Sequence, residues 1–413
     1  MELSTARLHD LSGRPFRANP GYELVLFDRL PPEERRALAG LEHDPELYGV
    51  LRPGAPGLGL KSVDRETALL FLTLREPGPL PAYVRAAFGE SAGRAIFRLV
   101  AEGVLEVEHG GAFLSGATAL DRLRAERGNP APGAGRGRLA GLSIDALRHA
   151  QALALEDPLA LSYRLYGFHR RPLTPGWKRR LPSPEAVRAY LGLGDGGAAR
   201  RALSGWVEQQ APRAGGWLSW QSVASIGGGE VPGAAAPTWK LYISPTPEAL
   251  PECFAAVLEA LAAARSWQVK VGSDAAGLLR PDKLVAYFPS FERLAEAAGC
   301  LAGRLSGIAV HGVPFTAEAG GDGLLSWGVD PPASERPLAG GRESWRLWLT
   351  HRLARALLAA RAARASGPTA GSIAGPTAEA TAAEPWQIAL ERLRLEGVST
   401  ETWTPGSGLG WQA

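Results

Sequence analysis

The chain has 413 residues, which exceeds one typical domain and predicts two domains with connecting segments. Hydrophobic residues make up 45% and charged residues 21%, as in ordinary globular proteins, and a net charge of +3 is too small to indicate nucleic-acid binding. Its two cysteines, Cys253 and Cys300, form no C-x-x-C pattern, so neither a zinc site nor a disulfide framework is expected. Since no segment reads as a signal peptide or as an apolar run of about 18 residues, we expect a cytoplasmic protein without a membrane span.

The first 120 residues carry an order of helix and strand signals that is typical of a winged-helix domain. Asp64 precedes a run with helical spacing and is positioned to cap that helix. Two short runs separated by His109-Gly110-Gly111 predict a β-hairpin, which would form the wing. We predict a strand over residues 23–27, helices over 31–41, 64–74, 81–88 and from 91 onward, and the hairpin over 104–114.

Composition sets the remaining boundaries. Residues 121–140 are rich in Gly, Pro and Arg and predict a linker, whereas the Ala/Gly/Thr/Pro-rich stretch 366–383 is typical of disordered chain. The larger domain therefore spans residues 141–365, and a tail over 384–413 contains a short amphipathic helix over 386–395. Within the larger domain we predict helices over 142–161, from 183, over 198–210, 247–265 and 291–305, and from 343. We also predict a strand, or the end of one, over 310–316 and a loop over 322–330.

The segment over residues 165–182 is basic and aromatic and contains His169. It is either a solvated loop or a contact surface for an acidic or phosphorylated peptide. The sequence pattern leaves both interpretations open.

Residues 239–244 predict a strand with two unlike faces, because successive side chains of a strand point to opposite sides. Lys240, Tyr242 and Ser244 would line one surface, while Leu241 and Ile243 pack behind it. One face of this strand would thus be polar and the other would belong to the core.

A second predicted strand places Lys270 on its polar face together with Gln268. With Lys240, Arg280 and Lys283, Lys270 makes a group of cations that suits an anion such as phosphate, although a single lysine on a strand is more often simply solvated. The apolar side of this run would consist of Trp267, Val269 and Val271, and the next run, over 284–288, would be buried.

These motifs resemble the Hop-A-type effector family, which is similar to the phosphothreonine lyases of bacterial type III effectors and to the lyase domains of lanthipeptide synthetases. Residues 240–244 read K-L-Y-I-S and residues 269–271 read V-K-V, where the classical lyases carry K-x-H-I-S and F-K-V. The later segments L-V-A-Y-F and G-V-P-F-T also match, and the resemblance covers residues 145–365. Segments over 165–177 and 343–346 resemble an actinobacterial subgroup that is found in pathways to class V lanthipeptides and thioamide peptides.

The resemblance implies an α+β lyase-like domain with a central, mostly antiparallel sheet flanked by helices. It also implies a lyase that eliminates phosphate from phosphoserine or phosphothreonine of a ribosomally made precursor peptide, giving dehydroalanine or dehydrobutyrine. The reaction needs no metal or organic cofactor. A separate kinase would phosphorylate the peptide, because the chain carries no glycine-rich phosphate loop or kinase catalytic motif.

Site residues follow from the same resemblance. Lys240 is the expected base that removes the Cα proton, and Tyr242 stands where the classical lyases place a histidine acid. His169 and His311 are possible substitute acids. The expected phosphate-binding residues are Lys270, Arg280, Lys283, Arg342 and Arg346.

Alternatives remain open for both domains. Because Tyr242 replaces histidine, the chain is alternatively a non-catalytic subunit that binds phosphopeptide or leader peptide; a type III effector-like lyase acting on a signalling protein is a further alternative. The N-terminal domain has few basic residues on its third helix, Arg94 and Arg98, and Glu106 and Glu108 on its wing, which argues against DNA. We expect it either to capture a leader peptide as an added strand or to be purely structural.

Overall fold

The protein combines helices with antiparallel sheets, which confirms the expected mixed α+β class. The structure, a computed structural model, describes residues 14–41, 44–54, 58–84, 92–126, 137–209, 216–228, 238–331, 343–365 and 383–406. The chain divides into two compact units, Met1–Ala131 with Ala359–Glu396 and Pro132–Leu358 with Gly397–Ala413. Among the described helices, none has the length and apolarity that crossing a membrane requires.

The first unit contains two three-stranded antiparallel sheets within the described ranges. Its elements are β1 (Phe16–Ala18), β2 (Tyr22–Val25), α1 (Pro32–Ala37), β3 (Gly49–Pro53), β4 (Lys61–Val63), α2 (Arg65–Thr73), α3 (Ala92–Ala101), β5 (Leu105–His109), β6 (Ala112–Leu114) and α4 (Gly116–Glu126), with 3-10 turns at Phe27–Arg29 and Ala39–Leu41. The strand orders are β1-β5-β6 and β2-β3-β4.

Local chemistry explains the start of α2 and the hairpin of this unit. The Asp64 side chain accepts a hydrogen bond from the Thr67 backbone N–H (2.7 Å), as predicted for a cap. Gly110 and Gly111 have φ of 60° and 83° and allow the tight turn between β5 and β6. The second half of the helix that we predicted over 81–88, residues 85–88, lies outside the described residues.

The second unit is built on a seven-stranded antiparallel sheet in the order β12-β13-β9-β11-β10-β8-β7. In chain order its elements are α5 (Arg138–Gln151), α6 (Pro158–Tyr166), α7 (Pro175–Arg180), α8 (Pro184–Tyr190), α9 (Ala198–Ala202), β7 (Trp206–Gln209), β8 (Trp217–Ser222), α10 (Val223–Gly228), β9 (Trp239–Ile243), α11 (Leu250–Ala263), β10 (Gln268–Gly272), α12 (Ala275–Leu278), β11 (Leu284–Phe288), α13 (Phe291–Arg304), β12 (Ala317–Ala319), β13 (Leu325–Val329), α14 (Trp345–Ala365), whose last turns belong to the first unit, and the short pair β14 (Val398–Ser399) and β15 (Thr404–Pro405). The helix α15 (Pro385–Leu395) belongs to the first unit.

One face of the large sheet forms the main core, against α11 and α13. Leu241 and Ile243 of β9 are fully buried there, together with Phe254 of α11 and Leu294 of α13. Each such side chain contributes roughly 1.5–3 kcal/mol through burial. The core therefore holds β9 in one register, and that register directs Lys240 and Tyr242 to the opposite face.

Two segments differ from the expected elements because strand pairing outweighs local preference. The helix that we predicted over 198–210 ends at Ala202, and Trp206–Gln209 pairs with β8 instead. The loop predicted over 322–330 contains β13, which pairs with β9 and β12. Trp267 packs beside Tyr287 (ring centroids 5.5 Å apart), not with the apolar side of β10.

Three further boundaries differ for local reasons. The strand predicted over 310–316 is absent, because Gly312 and Phe315 have φ of 89° and 62°, which extended backbone does not adopt. The helix predicted over 142–161 is two helices, and Asp157 caps the second one. Residues 121–126, expected in the linker, belong to α4.

Gly328 of β13 provides a test of this packing. A Cβ there would lie 2.5 Å from Cδ1 of Trp345, whose side chain is fully buried. We expect Gly328→Ala to lower the free energy of unfolding by about 1–3 kcal/mol through overpacking. The control is Gly299→Ala on an exposed turn of α13, where nothing lies within 4 Å and we expect a gain of up to about 1 kcal/mol. Urea denaturation measures both, and equal effects of the two changes would contradict the packing.

Candidate functional site

The candidate site lies on the face of the large sheet opposite the core, where two lysines flank a tyrosine ring. β11 lies between β9 and β10, so Tyr287 of β11 is directly opposite Lys240 and Gln268. Nζ of Lys240 is 5.4 Å and Nζ of Lys270 is 5.3 Å from the centroid of the Tyr287 ring. The antiparallel register thus brings two ammonium groups, from the two strands that flank β11, near one aromatic ring.

Lys240 is held in a buried ion pair. Its Nζ lies 2.5 Å from Oδ2 and 2.7 Å from Oδ1 of Asp330, and both residues are less than a tenth exposed. Asp330 follows the last residue of β13, and its Oδ1 also accepts a hydrogen bond from the Trp345 backbone N–H (3.2 Å). The carboxylate therefore connects β9 to the start of α14 and neutralises Lys240.

Lys270 has no such partner. Within the described ranges no carboxylate or hydrogen-bond acceptor contacts its Nζ, which lies 4.5 Å from the centroid of the Trp217 ring. Burial, and then the charge of Lys240, lowers the pKa of Lys270 to about 8. Arg280 lies over the same Trp217 ring (4.9 Å). This indole brings Lys270 and Arg280 close together.

Beside these lysines, one buried carboxylate is shared by two arginines and a tyrosine. Asp282 accepts hydrogen bonds from Nε and Nη2 of Arg280 (both 2.8 Å), from Nη1 of Arg346 (2.8 Å) and from the Tyr166 hydroxyl (3.0 Å). Burial disfavours the charged form of Asp282, but Arg346 and Arg280 outweigh it and hold its pKa well below the usual range. Burial and the nearby Asp282 raise the pKa of Tyr166.

The Arg346 guanidinium is fully engaged in this network. Its Nε donates to the Pro314 carbonyl (3.0 Å) and its Nη2 to the Tyr166 carbonyl (2.8 Å), and the side chain is 1% exposed. Arg346 thus holds α6, α14 and the loop after α13 around Asp282. Each nitrogen of the guanidinium already donates one hydrogen bond, and burial of the side chain disfavours direct contact with an incoming phosphate.

Two tyrosines on the same face have hydroxyl groups without a hydrogen-bond partner among the described residues. Burial, followed by the charge of Asp330, raises the pKa of Tyr242 well above its usual value and raises that of Tyr287. Both hydroxyls therefore stay protonated at neutral pH. They are available as hydrogen-bond donors, but the raised pKa makes Tyr242 a weak acid.

The remaining expected site residues form a separate cluster. Lys283 is fully buried and donates to the Pro245 carbonyl (2.8 Å) and to Nδ1 of His311 (3.0 Å). Nε2 of His311 donates to the His169 carbonyl (2.7 Å), and Nε2 of His169 donates to that of His311 (3.1 Å). Burial is the main cause that lowers the pKa of Lys283 to about 7, of His311 to about 3, and of His169.

The side-chain nitrogens of Lys283, His311 and His169 are therefore engaged in hydrogen bonds within this cluster. In the described part of the chain, neither histidine contacts Lys240, Tyr242 or Lys270. A His311 ring that accepts from Lys283 and donates to a carbonyl is neutral, so it does not match the expected proton donor.

Of the expected site residues, the structure brings four together, Lys240, Tyr242, Lys270 and Arg280. Arg342 lies outside the described residues. Sequence reasoning missed the two carboxylates, Asp282 and Asp330, and the two tyrosines, Tyr166 and Tyr287. The one available signal was Asp282 itself, which stands between Arg280 and Lys283 in R-P-D-K. Tyr287 lies in L-V-A-Y-F and Tyr166 in the segment over 165–177, but neither was given a role there, and Asp330 lies in no motif.

The charge balance of this site favours an anion. Four cations, Lys240, Lys270, Arg280 and Arg346, face two carboxylates, Asp282 and Asp330, so the group is positive by two charges when Lys270 is protonated. A phosphorylated side chain carries about −1.5 to −2 charges at pH 7. The site can therefore neutralise one phosphate group.

Comparisons with known proteins give limited similarity. No protein-family model and no curated protein matches the chain. Its structural neighbours include two effector proteins from Pseudomonas syringae, one from pathovar syringae strain 61 (13% identity) and one from pathovar tomato strain DC3000 (11% identity). Each alignment covers 64% of this chain and 98% of the effector chain, with a TM-score of 0.34. A TM-score this low carries no argument about function.

Asp282 is predicted to be the main electrostatic support of the site. Asp282→Asn leaves Arg346 buried without a counter-ion, and we expect it to lower the free energy of unfolding at pH 7 by roughly 3–5 kcal/mol. Because the folded-state pKa of Asp282 is depressed, its contribution is fully present above the unfolded pKa of about 3.9 and is lost as the pH falls below it. The variant should therefore lose less stability than the wild type between neutral and acid pH.

Urea denaturation at several pH values measures this difference. The matched control is Glu259→Gln, which removes an exposed carboxylate on α11 that lies 3.9 Å from Arg304. We expect the control to change stability by less than about 0.5 kcal/mol. An Asp282→Asn variant as stable as this control would contradict the assigned role.

Proposed function

We propose that the protein binds a phosphorylated serine or threonine of a peptide on this face of the sheet and eliminates the phosphate. The product would be dehydroalanine or dehydrobutyrine in a ribosomally made precursor peptide. The observation that supports this most directly is Lys270, a half-buried amine with a pKa of about 8 and no acceptor among the described residues, within a group of cations. Such an amine is neutral in a useful fraction of molecules near neutral pH and can accept a proton.

We assign the base to Lys270 in place of Lys240, which the sequence resemblance favoured. The Nζ of Lys240 is already bonded to Asp330, whereas the Nζ of Lys270 has no competing acceptor among the described residues. Lys240 instead supplies positive charge near the Tyr287 ring. Transition-state charge on the leaving phosphate would be stabilised by Lys240 and by Arg280.

The proposed step balances as follows. Lys270 takes the Cα proton, the C–H electron pair becomes the Cα=Cβ double bond, and the Cβ–O bond breaks with its electron pair left on the bridging oxygen. That oxygen then takes a proton, and inorganic phosphate leaves. Lys240 and Tyr242 are the two donors of β9 on this face, and the raised pKa of Tyr242 favours the Lys240 ammonium for this transfer.

A second function is supported by one observation. Tyr242 stands at the position of the expected acid, and its raised pKa makes it a poor proton donor. A chain that binds phosphopeptide without turning it over would need only the cations. In either case the peptide must be phosphorylated by a separate kinase.

Two lysine variants separate these assignments. We expect Lys270→Arg to keep a positive charge but to lose the neutral amine, so that phosphate release falls by about 10²- to 10⁴-fold while the phosphopeptide dissociation constant changes little. Lys240→Arg should lose less activity than Lys270→Arg, because it retains the charge and the contact with Asp330, and Tyr242 remains as a second proton donor. Phosphate release and fluorescence anisotropy of a labelled phosphothreonine peptide measure the two quantities. If Lys240→Arg lost more phosphate-releasing activity than Lys270→Arg, Lys240 would be the base.

The pH dependence gives an independent check. Only the neutral amine accepts a proton, so kcat/KM should rise with pH through about 8 and then level off. A rate that falls across this range would exclude Lys270 as the base. Unchanged binding with no elimination at any pH would favour the binding function.

For the first unit we propose a winged-helix domain that captures a leader peptide. The described helices α2 and α3 precede the hairpin β5–β6, and β6 is at the edge of its sheet, where a peptide strand can pair. A precursor peptide with its leader should slow amide hydrogen exchange in residues 112–114. The control is β4 (61–63), an edge strand of the other sheet, whose exchange should not change. If exchange slowed equally in β6 and β4, or slowed in neither strand, leader capture at β6 would be contradicted.

A further inference from the structure

A second charged surface lies beside the candidate site, in a segment that the proposed reaction does not use. Between Asp157 and Glu185 the chain carries no acidic residue, but its part over 170–180, here called the basic segment, contains five basic residues. They are Arg170, Arg171, Lys178, Arg179 and Arg180. Acidic groups that balance these five basic residues must therefore come from elsewhere in the protein or from a ligand.

Only part of this charge is balanced within the protein. Nη1 of Arg171 contacts Glu248 (2.7 Å), and Arg180 lies over the Tyr190 ring (4.8 Å). Arg170, Lys178 and Arg179 are exposed, and the described residues offer none of them an ion-pair partner. Three positive charges are therefore open to a ligand.

The two ends of the basic segment are close together. Glu248, the partner of Arg171, follows Pro247, whose carbonyl accepts a hydrogen bond from the Tyr190 hydroxyl (2.8 Å). Arg180 lies over the ring of this same Tyr190. Shared neighbours thus connect Arg180, at the end of α7, with Arg171 near the start of the basic segment.

The basic segment also adjoins the candidate site. The Arg171 backbone N–H donates to the Leu279 carbonyl (3.0 Å), immediately before Arg280. Tyr166, which precedes the segment, donates its hydroxyl hydrogen to Asp282 (3.0 Å). A peptide whose phosphate reaches Arg280 would therefore pass next to the basic segment.

We infer that Arg170, Lys178 and Arg179 bind acidic residues that flank the phosphorylated residue of the peptide, so that acidic phosphopeptides are the preferred class of substrate. This inference rests on the proposed function for the position of the phosphate. A nucleic acid is the less favoured partner, because the net charge of the chain is only +3 and nucleic-acid affinity needs many phosphate contacts.

Binding of three labelled peptides tests the inference. One carries phosphothreonine between glutamates, the second carries phosphothreonine between glutamines, and the third carries unphosphorylated threonine between glutamates. We expect the wild type to bind the first roughly tenfold more tightly than the second, with the difference shrinking as salt is added. In K178E/R179E this preference should be lost.

The control variant R200E/R304E makes the same change of charge at two exposed arginines on α9 and α13. It should keep the preference, and thermal unfolding checks that both variants are folded. A wild type without the preference, a preference that survives in K178E/R179E, or a single-stranded oligonucleotide that displaces the first peptide at lower concentration than the peptide itself would each overturn the inference.

The outcomes separate this inference from the proposed function. If the glutamate peptides bind through the basic segment but no phosphate is released, the surface stands and the elimination fails. If phosphate is released equally well from the glutamate and glutamine phosphopeptides, the elimination stands and the acidic preference fails.

Discussion

The site depends on one buried carboxylate. Asp282 carries hydrogen bonds from Arg280, Arg346 and Tyr166, and it thereby joins the strand β11 to α6 and α14. An arginine that is 1% exposed would be a strongly destabilising buried charge without such a partner. Asp330 does the same for Lys240. Asp330 and Asp282 are both engaged in ion pairs. The positive charge that they do not balance is concentrated on Lys270 and on the side of the Arg280 guanidinium that does not contact Asp282. This excess of positive charge makes the sheet face suitable for a phosphate.

The same strands that build the core also build the site. On β9 the buried Leu241 and Ile243 alternate with Lys240 and Tyr242, and on β10 Val269 and Val271 alternate with Lys270. Burial on one face holds the register, and the register sets the spacing of charged groups on the other. This arrangement keeps the amine of Lys270 partly desolvated, which lowers its pKa to about 8 at the cost of some stability.

The sequence patterns predicted the features that depend on residues close together in the chain, such as strand faces and helix caps. Strand alternation correctly assigned the faces of Lys240, Tyr242 and Lys270, and the Asp64 cap was confirmed at its residue. The partners of these groups were not predictable, because Asp330 lies 90 residues from Lys240 and Asp282 lies 64 residues from Arg346. Arg346 and Lys283 were expected to hold phosphate from their charge alone, yet burial and existing hydrogen bonds occupy both. The edge strand β7 and its neighbour β8 were missed since only pairing makes them strands.

The central claim is that the peptide loses its phosphate by elimination, and the mass of the peptide product tests it most directly. A synthetic phosphothreonine peptide flanked by glutamates is incubated with the protein and its mass is compared with that of the starting peptide. The account predicts the loss of one phosphoric acid per site and a product that adds a thiol, as an alkene conjugated to a carbonyl does. Loss of one HPO₃ per site, which leaves threonine, would show hydrolysis and contradict the account.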